Sequence, residues 1–267
     1  MKRTQTKTIV FITGAFFSNS VWDEWRNYFE SQGFITIAPS WPHKDASTAE
    51  LRSRHPDSAI ASVDLKQVVA HYADILKNLP EQTILIGHSV GGLITQLLLQ
   101  EDLAKAGIVI HSLPPQNLLK FNLSFFKTLW ASFGFFTSGK KSFLMSFPEW
   151  QDVFANGMPL SMQKSAYEQF LVPESKKISR DLFTSAAKVD FKKTHVPLLF
   201  ISGSDDRFVP ASSGYSNYTH YQQIDSITEY KQFEGKNHLV LIQPDWEHQA
   251  EFILNWISGP VNRVSDH

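Results

Sequence analysis

The sequence predicts an α/β fold: a mainly parallel sheet of about six strands, helices on both faces, and an inserted helical cap. Three observations lead there. Short apolar, β-branched runs alternate with longer segments of helical periodicity, the pattern of parallel strands joined by crossover helices. Most of those runs lack polar alternation, as strands covered on both faces do. Residues 113–190 then break the rhythm over a length that an ordinary connection inside a compact domain does not reach.

The strands are expected at residues 8–13, 34–38, 83–87, 107–110, 197–202 and 227–233. Between the first two, residues 21–32 carry Trp22, Trp25 and Phe29 at helical spacing, with Gly33 as a stop signal. Residues 60–79 read as one long helix, because Ile60, Val63, Val68, Tyr72, Ile75, Leu76 and Leu79 mark one face and Pro80 ends it. A third helix is expected over 89–103, and a last one over 243–257, where Ala250, Ile253, Leu254 and Ile257 repeat at three- and four-residue spacing. The insert is crowded with aromatic residues, among them Phe121, Phe125, Phe126, Trp130, Phe133, Phe143, Phe147, Trp150 and Phe154. No repeat or linker divides the 267 residues, so the expectation is one domain spanning 1–267, with 113–190 as its cap.

Composition narrows the function classes. Hydrophobic residues make up 42% and charged residues 19%, enough apolar side chain to close a sheet between two helical layers. A formal net charge of -1 supplies no field to attract a phosphate backbone, so nucleic acid is not an expected partner. The absence of cysteine removes disulfides, thiolate nucleophiles and cysteine-based metal sites together. Lys2, Arg3 and Lys7 ahead of Ile9-Val10-Phe11-Ile12 superficially resemble a secretion signal, but the apolar run is short, is interrupted at Gly14 and reads as a core strand. No run approaches the roughly 18 apolar residues of a transmembrane helix, and a cytoplasmic location is the expectation.

The chemistry concentrates in Gly87-His88-Ser89-Val90-Gly91, a G-x-S-x-G sequence followed by Gly92. A buried-strand pattern, Thr83-Ile84-Leu85-Ile86, precedes it and a helix pattern from Leu93 to Leu99 follows. In that setting the motif describes a sharp strand-to-helix turn that presents a serine, with glycines letting neighbouring segments pass without a Cβ clash. A serine hydroxyl is inert at neutral pH unless a base lies within hydrogen-bond reach and a third group orients that base. Candidates for both follow later strands. Ser204-Asp205-Asp206-Arg207 places two carboxylates after the fifth strand, and Gly235-Lys236-Asn237-His238 places an imidazole after the sixth. The carboxyl ends of parallel strands are where ligands and catalytic groups gather. Of the ten histidines, His238 has the best setting; His88 is expected to pack beneath the serine turn.

G-H-S-V-G-G, G-S-D-D-R-F-V-P and a late loop histidine, in that order, resemble the α/β-hydrolase superfamily of serine esterases and lipases, and the resemblance spans residues 8–257. It implies the α/β-hydrolase fold and a triad of Ser89, His238 and Asp206, since the acid of similar members lies three residues after the glycine and precedes an arginine. Some relatives carry the acid after the preceding strand, where this chain reads His111-Ser112-Leu113. The turn Thr13-Gly14-Ala15-Phe16 resembles the family's H-G-x turn, with threonine where many relatives have histidine. By that match the backbone N–H groups of Ala15 and Val90 form the oxyanion hole.

The expected substrate is a small molecule, an apolar acyl or aromatic ester, with Phe16, Phe126, Trp130 and Phe133 as candidate contacts. Phe126, Trp130 and Phe133 recur at helical spacing, a pattern that also suits packing of the cap onto the body. Neither a metal nor an organic cofactor is required by this chemistry. The resemblance equally admits lactones, thioesters, amides, carbon–carbon cleavage or a lyase on one scaffold, and a hydrolase-like protein that binds without turnover.

Overall fold

A computed structural model describes residues 7–119, 139–221 and 225–259. Six strands form one sheet: β1 (Thr8–Ile12), β2 (Ile35–Ile37), β3 (Thr83–His88), β4 (Ala104–Ile110), β5 (Leu198–Gly203) and β6 (Thr228–Phe233). Their order is β2-β1-β3-β4-β5-β6, and every pairing is parallel. The chain leaves β1 toward one edge, returns past it as β3, and thereafter steps steadily toward the other edge. The carboxyl ends of β1 and β3 are therefore the switch point of the sheet, where two neighbouring connections depart in opposite directions and leave a crevice.

Burial explains the strand sequences. β1 and β3 are buried along their whole length, and their runs TIVFI and TILIGH are accordingly apolar without alternation. β6 at the edge, TEYKQF, has no fully buried position: Thr228, Tyr230 and Phe233 are half-buried and the others exposed. Helix α5 (Val90–Leu99) is buried on every side, as VGGLITQLLL requires. Its polar side chains are satisfied inside: Thr95 Oγ1 donates to Gly91 O, and Gln96 donates to Ser112 Oγ and accepts from the Tyr221 hydroxyl.

The other helices are α1 (Asp23–Ser31), α2 (Thr48–Ser53), α3 (Ser58–Ser62), α4 (Leu65–Lys77), α10 (Ala211–His220) and α11 (Glu247–Ser258) in the body. The helix expected over 60–79 is two helices. Val63 is extended, and Asp64 starts α4 with a reciprocal cap: its carboxylate accepts from Gln67 N–H while the Gln67 side chain accepts from Asp64 N–H. The cap satisfies two N–H groups that a continuous helix would have satisfied itself, so apolar periodicity crossed a real boundary.

Within the insert, the described residues form α6 (Gln116–Leu119), α7 (Phe147–Val153), α8 (Leu160–Phe170) and α9 (Lys176–Asp181). They are not a separate layer. Trp150, Phe154, Met158 and Phe170 belong to the same hydrophobic cluster as the sheet. The expected aromatic face built on Phe126, Trp130 and Phe133 lies outside the described residues. Among the described residues, no helix is long and apolar enough to cross a membrane.

Candidate active site

Ser89 begins where β3 ends. Its φ of +57° and ψ of −121° lie where a residue with a side chain is strained, so the surrounding structure must hold it there. It does so through the backbone: Ser89 N–H donates to Ile110 O on β4, and Ser89 O accepts from Gly92 and Leu113. The glycines make room for this turn. A Cβ on Gly87 would lie 2.2 Å from Gly91 O, and one on Gly91 would lie 2.1 Å from Ile12 O at the end of β1.

Two further strand ends, those of β5 and β6, supply the side chains that line up with Ser89. The Ser89 hydroxyl donates to His238 Nε2 at 3.0 Å, and His238 Nδ1 donates to Asp206 Oδ2 at 2.8 Å. Asp206 Oδ1 accepts from the N–H groups of Phe208 and Val209, both at 2.8 Å. Ser89, Asp206 and His238 are 3%, 4% and 0% exposed, so water does little to screen them. Asp205 faces the other way, exposed, accepting from its neighbour Ser204. Of the two adjacent carboxylates, Asp206 is the one that reaches the histidine.

A second imidazole, His111 at the end of β4, had no signal in the sequence beyond its place after a strand. It sits at φ +48°, and its Nδ1 donates to the same Asp206 Oδ2 at 2.7 Å. Asp206 thus accepts four hydrogen bonds. Burial opposes its ionisation, yet the electrostatic attraction of His238 and the bonds from His111 and His238 prevail, holding its carboxyl well below the usual carboxylate range. Burial dominates at His111 and pushes its imidazole below the ordinary histidine value, against the pull of Asp206. The Nε2 of His111 has no partner among the described residues, which suits a neutral ring carrying its proton on Nδ1.

His88 packs beneath the turn, buried, and it also holds the backbone of His238: its Nε2 donates to His238 O at 3.0 Å. Burial, reinforced by His238 and His111, drives its imidazole well below the ordinary value, so it stays neutral. Aromatic rings enclose His238, with Phe154 of the insert at 4.9 Å and Phe208 at 4.8 Å between centroids. Atoms of His111, Asp206 and His238 lie within 4.8 Å of one another, close enough to share a cation. Both Nδ1 protons are already committed to Oδ2, however, and a cation there would have to displace them.

The turn after β1 closes the remaining side. A Cβ on Gly14 would lie 2.9 Å from Ser89 Cβ, so this backbone passes directly against the serine. The N–H groups of Ala15 and Val90 donate to no protein acceptor among the described residues. The Phe16 side chain is buried, its ring 6.0 Å from that of Phe143 and 6.5 Å from that of Phe154.

Residues 9–250 match the model of the alpha/beta hydrolase family. Among solved structures, an extracellular alpha/beta-hydrolase from a Paenibacillus species superposes with a TM-score of 0.68 at 19% identity, over 93% of this chain and 98% of the other. A methylesterase from Arabidopsis gives 0.67 at 16% identity, over 94% and 98%. A monoacylglycerol lipase from Paleococcus ferrophilus gives 0.68 at 17%, over 95% of each. Compared by sequence with curated proteins, the chain matches none.

Proposed function

Because the chain belongs to the α/β-hydrolase family, we propose that it is a serine hydrolase that cleaves an apolar carboxylic ester, or a close acyl relative, through an acyl-enzyme on Ser89. One observation carries this reading: the unbroken line of hydrogen bonds from the Ser89 hydroxyl through His238 to Asp206. As Ser89 Oγ attacks the carbonyl carbon, His238 Nε2 takes its proton, and Asp206 Oδ2 stabilises the imidazolium that forms. His238 then gives that proton to the leaving group, and water enters by the same route to release the acid. The carbonyl oxygen gains charge beside the N–H groups of Ala15 and Val90. Donors aimed in advance at such an oxygen are worth about 2.7–4 kcal/mol each in the transition state.

The apolar character of the substrate is supported by the rings of Phe154 and Phe208 around His238. The relatives named as a methylesterase and a monoacylglycerol lipase support an ester as the bond cleaved. The same side chains would serve a lactone, a thioester or an amide, because each presents a carbonyl carbon and forms the same acyl-enzyme. A panel of p-nitrophenyl esters of increasing chain length, run with wild type and with Ser89→Ala, tests the proposal. Wild type is expected to hydrolyse small or medium apolar esters of the panel, and S89A to lose about 10⁴-fold or more in kcat. Esters left intact while lactones or thioesters are consumed would move the reading to those bonds. Turnover unaffected by S89A would overturn it.

A further inference from the structure

The turn after β1 is fastened from outside the sheet. Phe16 has a φ of +69°, a conformation that needs support in a residue with a side chain. Its N–H donates at 3.0 Å to Oε2 of Glu174, which lies 158 residues away in the inserted segment. The backbone around Glu174 follows the turn for a short distance: Val172 N–H donates to Phe16 O, Ser18 N–H donates to Phe170 O, and Phe17 bridges Leu171 in antiparallel fashion. Glu174 is 1% exposed and Lys44, its ion-pair partner, 5%. Glu174 Oε1 accepts from Ser175 N–H, and the Lys44 ammonium lies 4.8 Å above the Trp41 ring.

A buried ion pair is a poor way to add stability, because desolvation of both charges offsets most of their attraction. A buried carboxylate does supply something an apolar residue cannot, an acceptor of fixed position. We propose that Glu174 is a positioning residue for the oxyanion turn. By holding Phe16 N–H it fixes the peptide plane joining Ala15 to Phe16, and this plane shares the Ala15 Cα with the preceding peptide, so it restrains the direction in which Ala15 N–H points beside Ser89. Lys44 completes the device. A bare carboxylate two peptide units from the developing oxyanion would oppose the charge forming there, and the ammonium cancels that field. The same contact makes the donor geometry depend on the seating of residues 170–174, so the insert and the oxyanion turn are assembled together.

This inference rests on the assignment of Ser89 and Ala15 above. Removing Glu174 alone would strand the Lys44 charge and endanger folding, so two neutral double variants isolate the acceptor. E174Q/K44M keeps an oxygen for Phe16 N–H; E174L/K44M keeps only volume. With p-nitrophenyl acetate, the expected kcat of E174Q/K44M is within about threefold of wild type, and that of E174L/K44M is about 10- to 100-fold lower, KM moving less than about threefold in both. Equal kcat values in the two variants, or a loss confined to KM, would overturn the inference. Amide hydrogen exchange of the peptide covering residues 14–18 reads the same contact without substrate. Exchange is expected to quicken about tenfold or more in E174L/K44M only, and unchanged protection would overturn the inference. A wild-type protein inert toward every acyl substrate, with that exchange difference present, would contradict the Ser89 assignment while upholding the anchoring of the turn.

Discussion

The carboxylate of Asp206 organises two imidazoles and two backbone amides at once, and its ionised form is what makes that possible: each oxygen accepts two bonds and donates none. Asp206→Asn would leave Oδ1 for Phe208 and Val209 N–H but turn an NH₂ group toward two Nδ1–H donors. At least one imidazole must then change tautomer, and a His238 with its proton on Nε2 cannot take one from Ser89. A fall in kcat of up to about 10⁴-fold is expected, with the far-UV circular dichroism of wild type retained. Activity close to wild type would move the orienting role away from Asp206. That Ser89, Asp206 and His238 come together was legible, because each sits in a turn whose glycine or proline pattern and strand context point to one end of the sheet. The placement of His111 and Glu174 was not, because each meets the turn or the carboxylate through a contact 158 or 95 residues away in sequence, Glu174 to Phe16 and His111 to Asp206, with no local pattern to mark it.

At the scale of elements, the G-x-S-x-G turn is a close approach of three backbones. Gly91 faces Ile12 O, Ile12 C and Thr13 O at 2.1–2.8 Å from an added Cβ, all atoms of the β1 end that cannot swing aside as a side chain could. Gly91→Ala is therefore expected to destabilise the fold by about 1–3 kcal/mol or more, read as a lowered urea midpoint. An unchanged midpoint would mean that β1 and α5 are less tightly apposed than described. Most strands and the α5 helix follow from apolar runs and glycine placement. The boundary between α3 and α4 escaped the periodicity, since Ile60 and Val68 lie on faces consistent with one helix while the Asp64–Gln67 cap stops it. The short α2 and the polar α10, ASSGYSNYTH, carry too little apolar periodicity to announce themselves.

For the whole molecule, burying neutral histidines at the centre ties stability to pH. His88 and His111 both have imidazoles held below their ordinary value of 6.5 by burial. The unfolded chain therefore binds more protons than the folded one below about pH 6.5, and stability must fall as pH drops through that range. Each such histidine withdraws up to about 1.4 kcal/mol per pH unit until its own folded value is reached. Thermal melts between pH 7.5 and 5 are expected to show Tm falling below about pH 6.5, with a shallower slope in His88→Gln. A slope unaltered by that change would place the coupling elsewhere. The account as a whole depends on Ser89 being made nucleophilic by its neighbours, and reaction with a fluorophosphonate followed by peptide mapping reads that property without knowledge of the substrate. The predicted result is a single stoichiometric adduct on Ser89, lost in S89A and strongly slowed in His238→Ala. No adduct on Ser89, or labelling that is indifferent to His238, would contradict it.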